Sequence, residues 1–187
     1  EPLSLNEVVV SANRNETSRK LAPSLVTILD MKTLEVTNSC DLSQGLRFQP
    51  GLRVENNCQN CGFTQVRING LEGPYSQILI NSRPTVGALA AVYGLEQIPA
   101  NMIERVEVMR GGGSALFGSS AIGGVINIIT REPIRNSGEV SYNTLNYDGT
   151  GSWQQSTAFN ASILTDSRKA GITVFGQNRV RDAFDHD

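Results

Sequence analysis

The chain has 187 residues, with 16 basic and 18 acidic side chains, and its net charge of -2 offers no cationic field for nucleic acid. Eighteen glycines against an aromatic share of 6% favour short strands and loops over helices, and no run of ~18 apolar residues is present to cross a bilayer as a helix. The length suffices for one domain with its own core plus an appendage, and the lack of a charged-then-apolar leader at Glu1 is expected of a processed or excised chain.

After a polar lead, Glu7, Val8, Val9, Val10, Ser11 and Ala12 place three β-branched residues between charged and polar ones, a composition that prefers extended backbone. No hairpin partner stands nearby, and 13–20 (NRNETSRK) reads as a solvated linker, so this run is expected as an edge strand or as an unpaired strand open to another chain. Residues 25–29 predict a short strand ended by Asp30. Residues 37–48 predict a helix capped by Asp41 or Ser39, with Leu42, Leu46 and Phe48 along one side and Pro50-Gly51 as its stop.

The chain then reverses repeatedly. A strand opens at 52–54, 58–64 is a polar loop, 66–68 returns, 70–75 turns, 77–80 runs back, and 81–95 is a long excursion. Each reversal exchanges ends, which puts the 58–64 loop and the 84–94 loop at one end and the Tyr75 turn at the other. In the first loop Cys58 and Cys61 form C-Q-N-C. Zinc needs four ligands, and only Cys40 and the distant His186 remain to complete a set, so no metal site is expected. A redox pair would start at a helix N-terminus, which Asn56-Asn57 followed by Gly62 does not supply. A local disulfide in an oxidising compartment is the expected state, stiffening the loop more than it stabilises the fold.

Residues 103–109 predict a strand with Val106 and Val108 on one face and Arg105, Glu107 and Met109 on the other. Gly111, Gly112 and Gly113 break it. Ser114 is the expected N-cap of a short helical piece that Gly118 ends, and 125–130 follow as a strand apolar on both faces apart from Asn127. Such a strand needs cover on each side. The G-x-x-x-x-G spacing from Gly113 to Gly118 is that of a phosphate loop, but Ser119 stands where the motif needs Lys, and no G-x-G-x-x-G opens a helix, so nucleotide binding is not expected. Arg67, Glu104, Arg105, Glu107, Arg110 and Arg131 alternate with apolar positions and fit either a wet face or contact with the polar inner wall of a barrel.

Beyond Pro133 the pattern changes. Weak alternation over 138–147, alternation over 152–164 with Thr157, Phe159, Ala161 and Ile163 on one side, and a strand marked by Ala170, Ile172 and Val174 are separated by turns at Asp148-Gly149 and 166–169. Barrel hairpins and soluble meanders both look like this. The single His, His186, lies in a tail, and no Ser, Cys or carboxylate has a positioned base by spacing, so neither an enzyme nor a cofactor is expected.

The segment IERVEVMRGGGSALFGSSAIGGVINIITR (103–131) resembles the C-terminal part of the plug domain of TonB-dependent outer-membrane receptors, in which ERVEVxRGxxSxLYGxxAxGGVINIIT recurs and Phe117 replaces the usual Tyr. Upstream, LRFQPGLRV (46–54) is similar to LxxxPGVxV with Leu52 in the Val position. QVRING (65–70) is similar to the xxIRG strand with an Asn before the glycine, and ILINSRP (78–84) to VLIDGVR with Asn81-Ser82 for Asp-Gly.

The resemblance implies an α+β plug domain at 23–133 with a small mixed β-sheet, short helices and long loops. A TonB box and flexible linker at 1–22 would precede it, and the first antiparallel strands of a truncated transmembrane β-barrel at 134–187 would follow. A plugged lumen needs about 22 strands, so the chain is expected to be a fragment whose open edges leave 134–187 disordered, self-paired or paired with a second copy. The resemblance makes Glu7 to Ala12 the TonB box, taken up by the TonB C-terminal domain through β-augmentation. The eleven residues from Ala12 to Pro23 would give it a reach of ~36 Å.

It further implies a bacterial outer-membrane location, with the plug inside the lumen of its own barrel and the box facing the periplasm. The cargo is a scarce nutrient of the siderophore, haem, cobalamin or glycan kind. No ATP is present there, so energy arrives as mechanical work through the box, which ligand shifts toward an exposed state. Similarity to the cobalamin receptor of the family turns the two long loops outward, making Asn56, Asn57, Gln59, Asn60, Thr85, Val86 and Tyr93 the expected ligand contacts. Two rival readings remain. One is an extracellular β-rich binding or adhesion module with a disulfide-stiffened loop, which leaves Glu7 to Ala12 without a role; the other is a redox protein using Cys58 and Cys61.

Overall fold

The computed structural model describes residues 8–9, 17–18, 21–22, 24–58, 63–85, 94–147, 151–167 and 169–182. A five-stranded sheet is built from β3 (Val26–Asp30), β6 (Ser76–Ile80), β7 (Arg83–Pro84), β8 (Ile103–Arg110) and β9 (Gly124–Thr130), in the order β3-β8-β9-β6-β7. Only β6 and β9 run parallel, with Ile78 opposite Ile126; the other pairs are antiparallel, which makes the sheet mixed as expected.

Alternation along β8 and β9 sends side chains into two dry layers. Val106, Val108, Ile126 and Ile128 join Leu29, Leu34, Leu42, Leu46, Val66 and Ile68 on one side. Met109 and Val125 join Val26, Leu79, Phe117 and Ala121 on the other. Each fully buried aliphatic side chain stabilises by roughly 1.5–3 kcal/mol, so the covers come from the chain itself. Asn127 is the polar exception expected in β9. It is fully buried, and its amide accepts from Ser82 N at 2.9 Å and donates to Ser82 Oγ at 3.1 Å. That bond holds the β6–β7 turn, where Asn81 and Ser82 both have positive φ, the geometry of a tight hairpin.

The first layer is completed by two short helices and a separate hairpin. Asp30 ends β3 and caps α1 (Met31–Val36), accepting from Thr33 N at 2.9 Å and Thr33 Oγ1 at 2.6 Å. Sequence reasoning missed this helix. The helix expected over 37–48 is only α2 (Leu42–Leu46), because Asn38 at φ 49 turns the chain between the two helices. Asp41 rather than Ser39 is its cap, with Oδ1 accepting from Gln44 N at 3.1 Å, and Phe48 lies exposed beyond the apolar side. The expected reversal appears as β4 (Leu52–Cys58) against β5 (Phe63–Ile68), with Val54 opposite Val66, as a two-stranded sheet of its own.

In the second layer, Ser114 is the first residue of the helical turn Ser114–Phe117 and makes no capping bond. Gly113 occupies the cap position, while Gly118 at φ 92 ends the turn as expected. The front of the chain is paired, contrary to expectation. β1 (Val8–Val9) pairs antiparallel with β2 (Thr17–Ser18), and Val9 is buried against the second layer, so the run has a hairpin partner and part of the linker is structured. The physical reason is that burying Val9 leaves backbone groups needing partners, and the returning linker supplies them.

The last strands, β10 (Ser137–Tyr147), β11 (Ser152–Leu164) and β12 (Gly171–Arg181), form an antiparallel meander, so the described strands of this region pair with one another. Its polarity is inverted. Gln154, Ser156, Asn160 and Ser162 are buried toward the helices and central sheet, whereas Trp153, Phe159 and Ile163 point out at 46, 47 and 67% exposure, joined by Val140, Ile172, Val174 and Val180. A polar inside with an apolar outside is the arrangement of a membrane barrel wall. Among the described residues no helix is long and apolar enough to cross a membrane.

The alternating charges do not form one wet face. Glu107 is fully buried and paired with Arg105 at 3.1 Å, and Arg105 also meets Glu104 at 2.8 Å. Arg131 reaches Glu139 of β10 at 3.1 Å and contacts the sulfur of Met31.

Candidate functional site

The roots of the two loops singled out from the sequence come together. Thr64, at the start of β5, donates its hydroxyl to Glu96 Oε1 at 2.7 Å, and the same hydroxyl lies 2.9 Å from Asn56 Oδ1 at the far end of β4. Glu96 sits in the short turn Leu95–Gln97 that follows the second loop. This bond brings one root of each loop together, while the β6–β7 hairpin adds a reversal that the count from sequence did not include. Thr85 is committed to its own hairpin: its N–H and hydroxyl both donate to the Ile78 carbonyl, at 3.2 and 3.1 Å.

Of the other expected contacts, Asn57 has its backbone in β4 but its side chain lies outside the described residues, as do Gln59, Asn60, Val86 and Tyr93 entirely. Cys61 and the Cys58 side chain are likewise outside, so the Cys58–Cys61 pairing is not observed. Within the expected box, Val8 and Val9 are described and Glu7, Val10, Ser11 and Ala12 are not. Cys40 is a free thiol whose burial pushes its pKa up to about 11.

Beside the loop roots lies a charge cluster that joins the inverted sheet to the rest of the chain. Arg179 of β12 reaches Asp41 Oδ2 at 2.9 Å, Glu96 Oε2 at 2.9 Å and the Glu96 carbonyl at 2.9 Å. Arg181 reaches the same Glu96 oxygen at 3.0 Å and donates from Nε to Gln154 Oε1 at 3.0 Å. Two carboxylates thus face two guanidiniums in a setting where the Asp41 and Glu96 side chains are 0 and 9% exposed. Charge-assisted pairs of this kind hold fixed geometry, and removing one partner costs far more than the pair contributes net. Burial raises the Asp41 carboxyl above the usual range, opposed by the Ser43 hydroxyl and by Arg179.

Asp41, Arg47, Phe48, Glu96, Arg179 and Arg181 line part of a cleft of about 840 Å³ between the helices and the inverted sheet. Sequence reasoning did not single out Glu96, Arg179 or Arg181, and took Asp41 only as a cap. A signal existed in Gln177, Arg179 and Arg181, polar at every second position of a strand whose other face carries Val174 and Val180.

The family model for the TonB-dependent Receptor Plug Domain matches residues 18–125. The chain is 32% identical over 171 residues to the iron-regulated outer membrane virulence protein of Vibrio cholerae, covering 86% of this chain and 26% of that protein. It is 31% identical over 139 residues to the ferric enterobactin receptor of Pseudomonas aeruginosa, covering 67% of this chain and 18% of that protein. The crystal structure of the siderophore receptor PirA from Acinetobacter baumannii superposes with a TM-score of 0.71 at 26% identity, over 89% of this chain and 26% of that one. The chain thus spans about a quarter or less of the length of these relatives. Its mixed sheet with two dry layers, its GGVINIIT strand and the family match over 18–125 lead to one conclusion: the chain belongs to the TonB-dependent receptor plug domain family.

Proposed function

We propose that this chain is the plug (23–133) and the first barrel strands (134–187) of an outer-membrane receptor that imports a ferric siderophore. The carrying observation is the inverted meander β10–β12, which turns an apolar face outward and a polar, ion-paired face onto the plug. A soluble adhesion module has no reason to expose Trp153, Phe159 and Ile163 together. Siderophore rather than haem or cobalamin is favoured because the relatives are named for enterobactin and siderophores. The chain acts in transport, not as an enzyme; a Cys58–Cys61 disulfide stiffens the outer loop.

Energy enters through Glu7 to Ala12, which pairs with the TonB C-terminal domain by strand addition. The β1–β2 ladder is two residue pairs long, marginal by itself, so the burial of Val9 is what holds it, at roughly 1.5–3 kcal/mol. That is the size of a typical coupling free energy between two sites, about 1–3 kcal/mol, so ligand bound at the outer end can shift the box toward release. Val8→Pro removes a main-chain donor while leaving the buried Val9 side chain in place. In the full-length receptor it abolishes iron uptake without changing ligand affinity; normal uptake by this variant refutes the box assignment.

A further inference from the structure

We propose that Glu96 is a positioning residue for ligand recognition: clasped by Arg179 and Arg181 of the barrel wall and by Thr64 of the hairpin, it fixes the roots of both outward segments at once. The proposal rests on the reading of those two segments as the place where ligand lands. The plug alone does not then set the ligand face; plug and wall set it together.

The second segment is anchored at its start by the Thr85 bonds to Ile78, but at its end Leu95–Gln97 is a single short turn with no side-chain cap. The first segment opens from β4, whose pairing with β5 becomes irregular between Asn56 and Cys58. The second root has no ladder of its own at 95–97, and the ladder of the first ends in this irregular stretch. Glu96 supplies the missing link, since one carboxylate oxygen takes the Thr64 hydroxyl and the other takes both arginines.

The segment beside Glu96 also has stitches that do not pass through this carboxylate. The adjoining segment is held separately by Leu42 N to the Ile98 carbonyl at 3.1 Å, Ala100 N to the Cys40 carbonyl at 3.1 Å, and Arg179 to Asp41. Removing the Glu96 charge therefore frees the roots and leaves 98–100 in place. Loosely held segments must be ordered when ligand binds, and that ordering is subtracted from affinity.

The test uses the ligand-free and ligand-bound full-length receptor carrying Glu96→Gln, Arg181→Gln and Arg181→Lys. Amide exchange is read at 63–66 and 94–97, with β9 as internal control. A panel of ferric catecholate and hydroxamate siderophores, including ferric enterobactin, serves as the binding probe. Glu96→Gln and Arg181→Gln speed exchange at both roots together, leave β9 unchanged, and weaken the tightest-binding siderophore by about tenfold, while Arg181→Lys restores much of the affinity. Unchanged exchange at the roots, or loosening of only one, overturns the proposal. Loosening of both with unaltered binding overturns the loop-recognition reading, as does a wild type that binds no member of the panel, and in that last case the exchange result alone decides the tether.

Discussion

The central sheet and the terminal meander solve opposite solvation problems with the same alternation of residues. In β8 and β9 both faces carry buried apolar side chains and the chain supplies cover for each, from Leu34, Leu42 and Leu46 on one side and Phe117 and Ala121 on the other. In β11 the buried face is serine, glutamine and asparagine with Ala158 among them, flanked by the paired arginines of β12, and the opposite face leaves Trp153, Phe159 and Ile163 exposed. A period of two says only that a strand has two faces; which one is inside depends on what the strand packs against. The first region behaves as an ordinary protein core, and the second has the polarity of the barrel wall proposed for it.

The comparison can be broken most forcefully from the core side. Ile126→Asp puts a charge with no partner at a fully buried position and should cost more than about 4 kcal/mol, read as loss of amide protection across the central sheet. A smaller effect comes from the cap of α1. Asp30→Ala should cost about 1 kcal/mol at neutral pH, read by denaturant unfolding. The pH dependence of the two caps separates them further. The Thr33 side chain holds the Asp30 carboxyl below its ordinary 3.8, so its contribution is full above 3.8 and lost as pH falls through the lowered value. For Asp41 burial acts first and raises the folded pKa, so this group's contribution declines as pH rises from 3.8 through the raised value. The smallest effect belongs to the outer face: Phe159→Ser should change the denaturant stability of the central sheet by no more than about 0.5 kcal/mol. A large loss there would mean that the two regions share one core.

How much of this was legible follows from the range of each interaction. The strands around Gly124, the cover on both faces of β9 and the turn at Gly118 were readable because alternation and glycine placement are local. The helix after Asp30 was not, since six residues give too little periodicity to recognise, and Asn38 in a left-handed conformation cut the next helix short. The pairing of Val8–Val9 with Thr17–Ser18 escaped because neither segment has hairpin chemistry between them. Glu96, Arg179 and Arg181 escaped for a different reason: the arginines lie 83 and 85 residues from Glu96, Arg179 lies 138 from Asp41, and charges on alternating strands look the same wet or paired. Of the expected ligand contacts, the structure places Asn56 and Thr85, and it adds the tether between their loops.

Placing single spin labels at 152–163 of the full-length receptor in lipid, and reading their accessibility to oxygen and to a water-soluble relaxant, tests the central claim most directly. Labels replacing Trp153, Phe159 and Ile163 should favour oxygen, while those replacing Ser156, Asn160 and Ser162 should be shielded from both, with a period of two. Equal access of the aqueous reagent to Trp153, Phe159 and Ile163 would contradict the account, because the apolar face would then be wet and β10–β12 would not be a membrane wall.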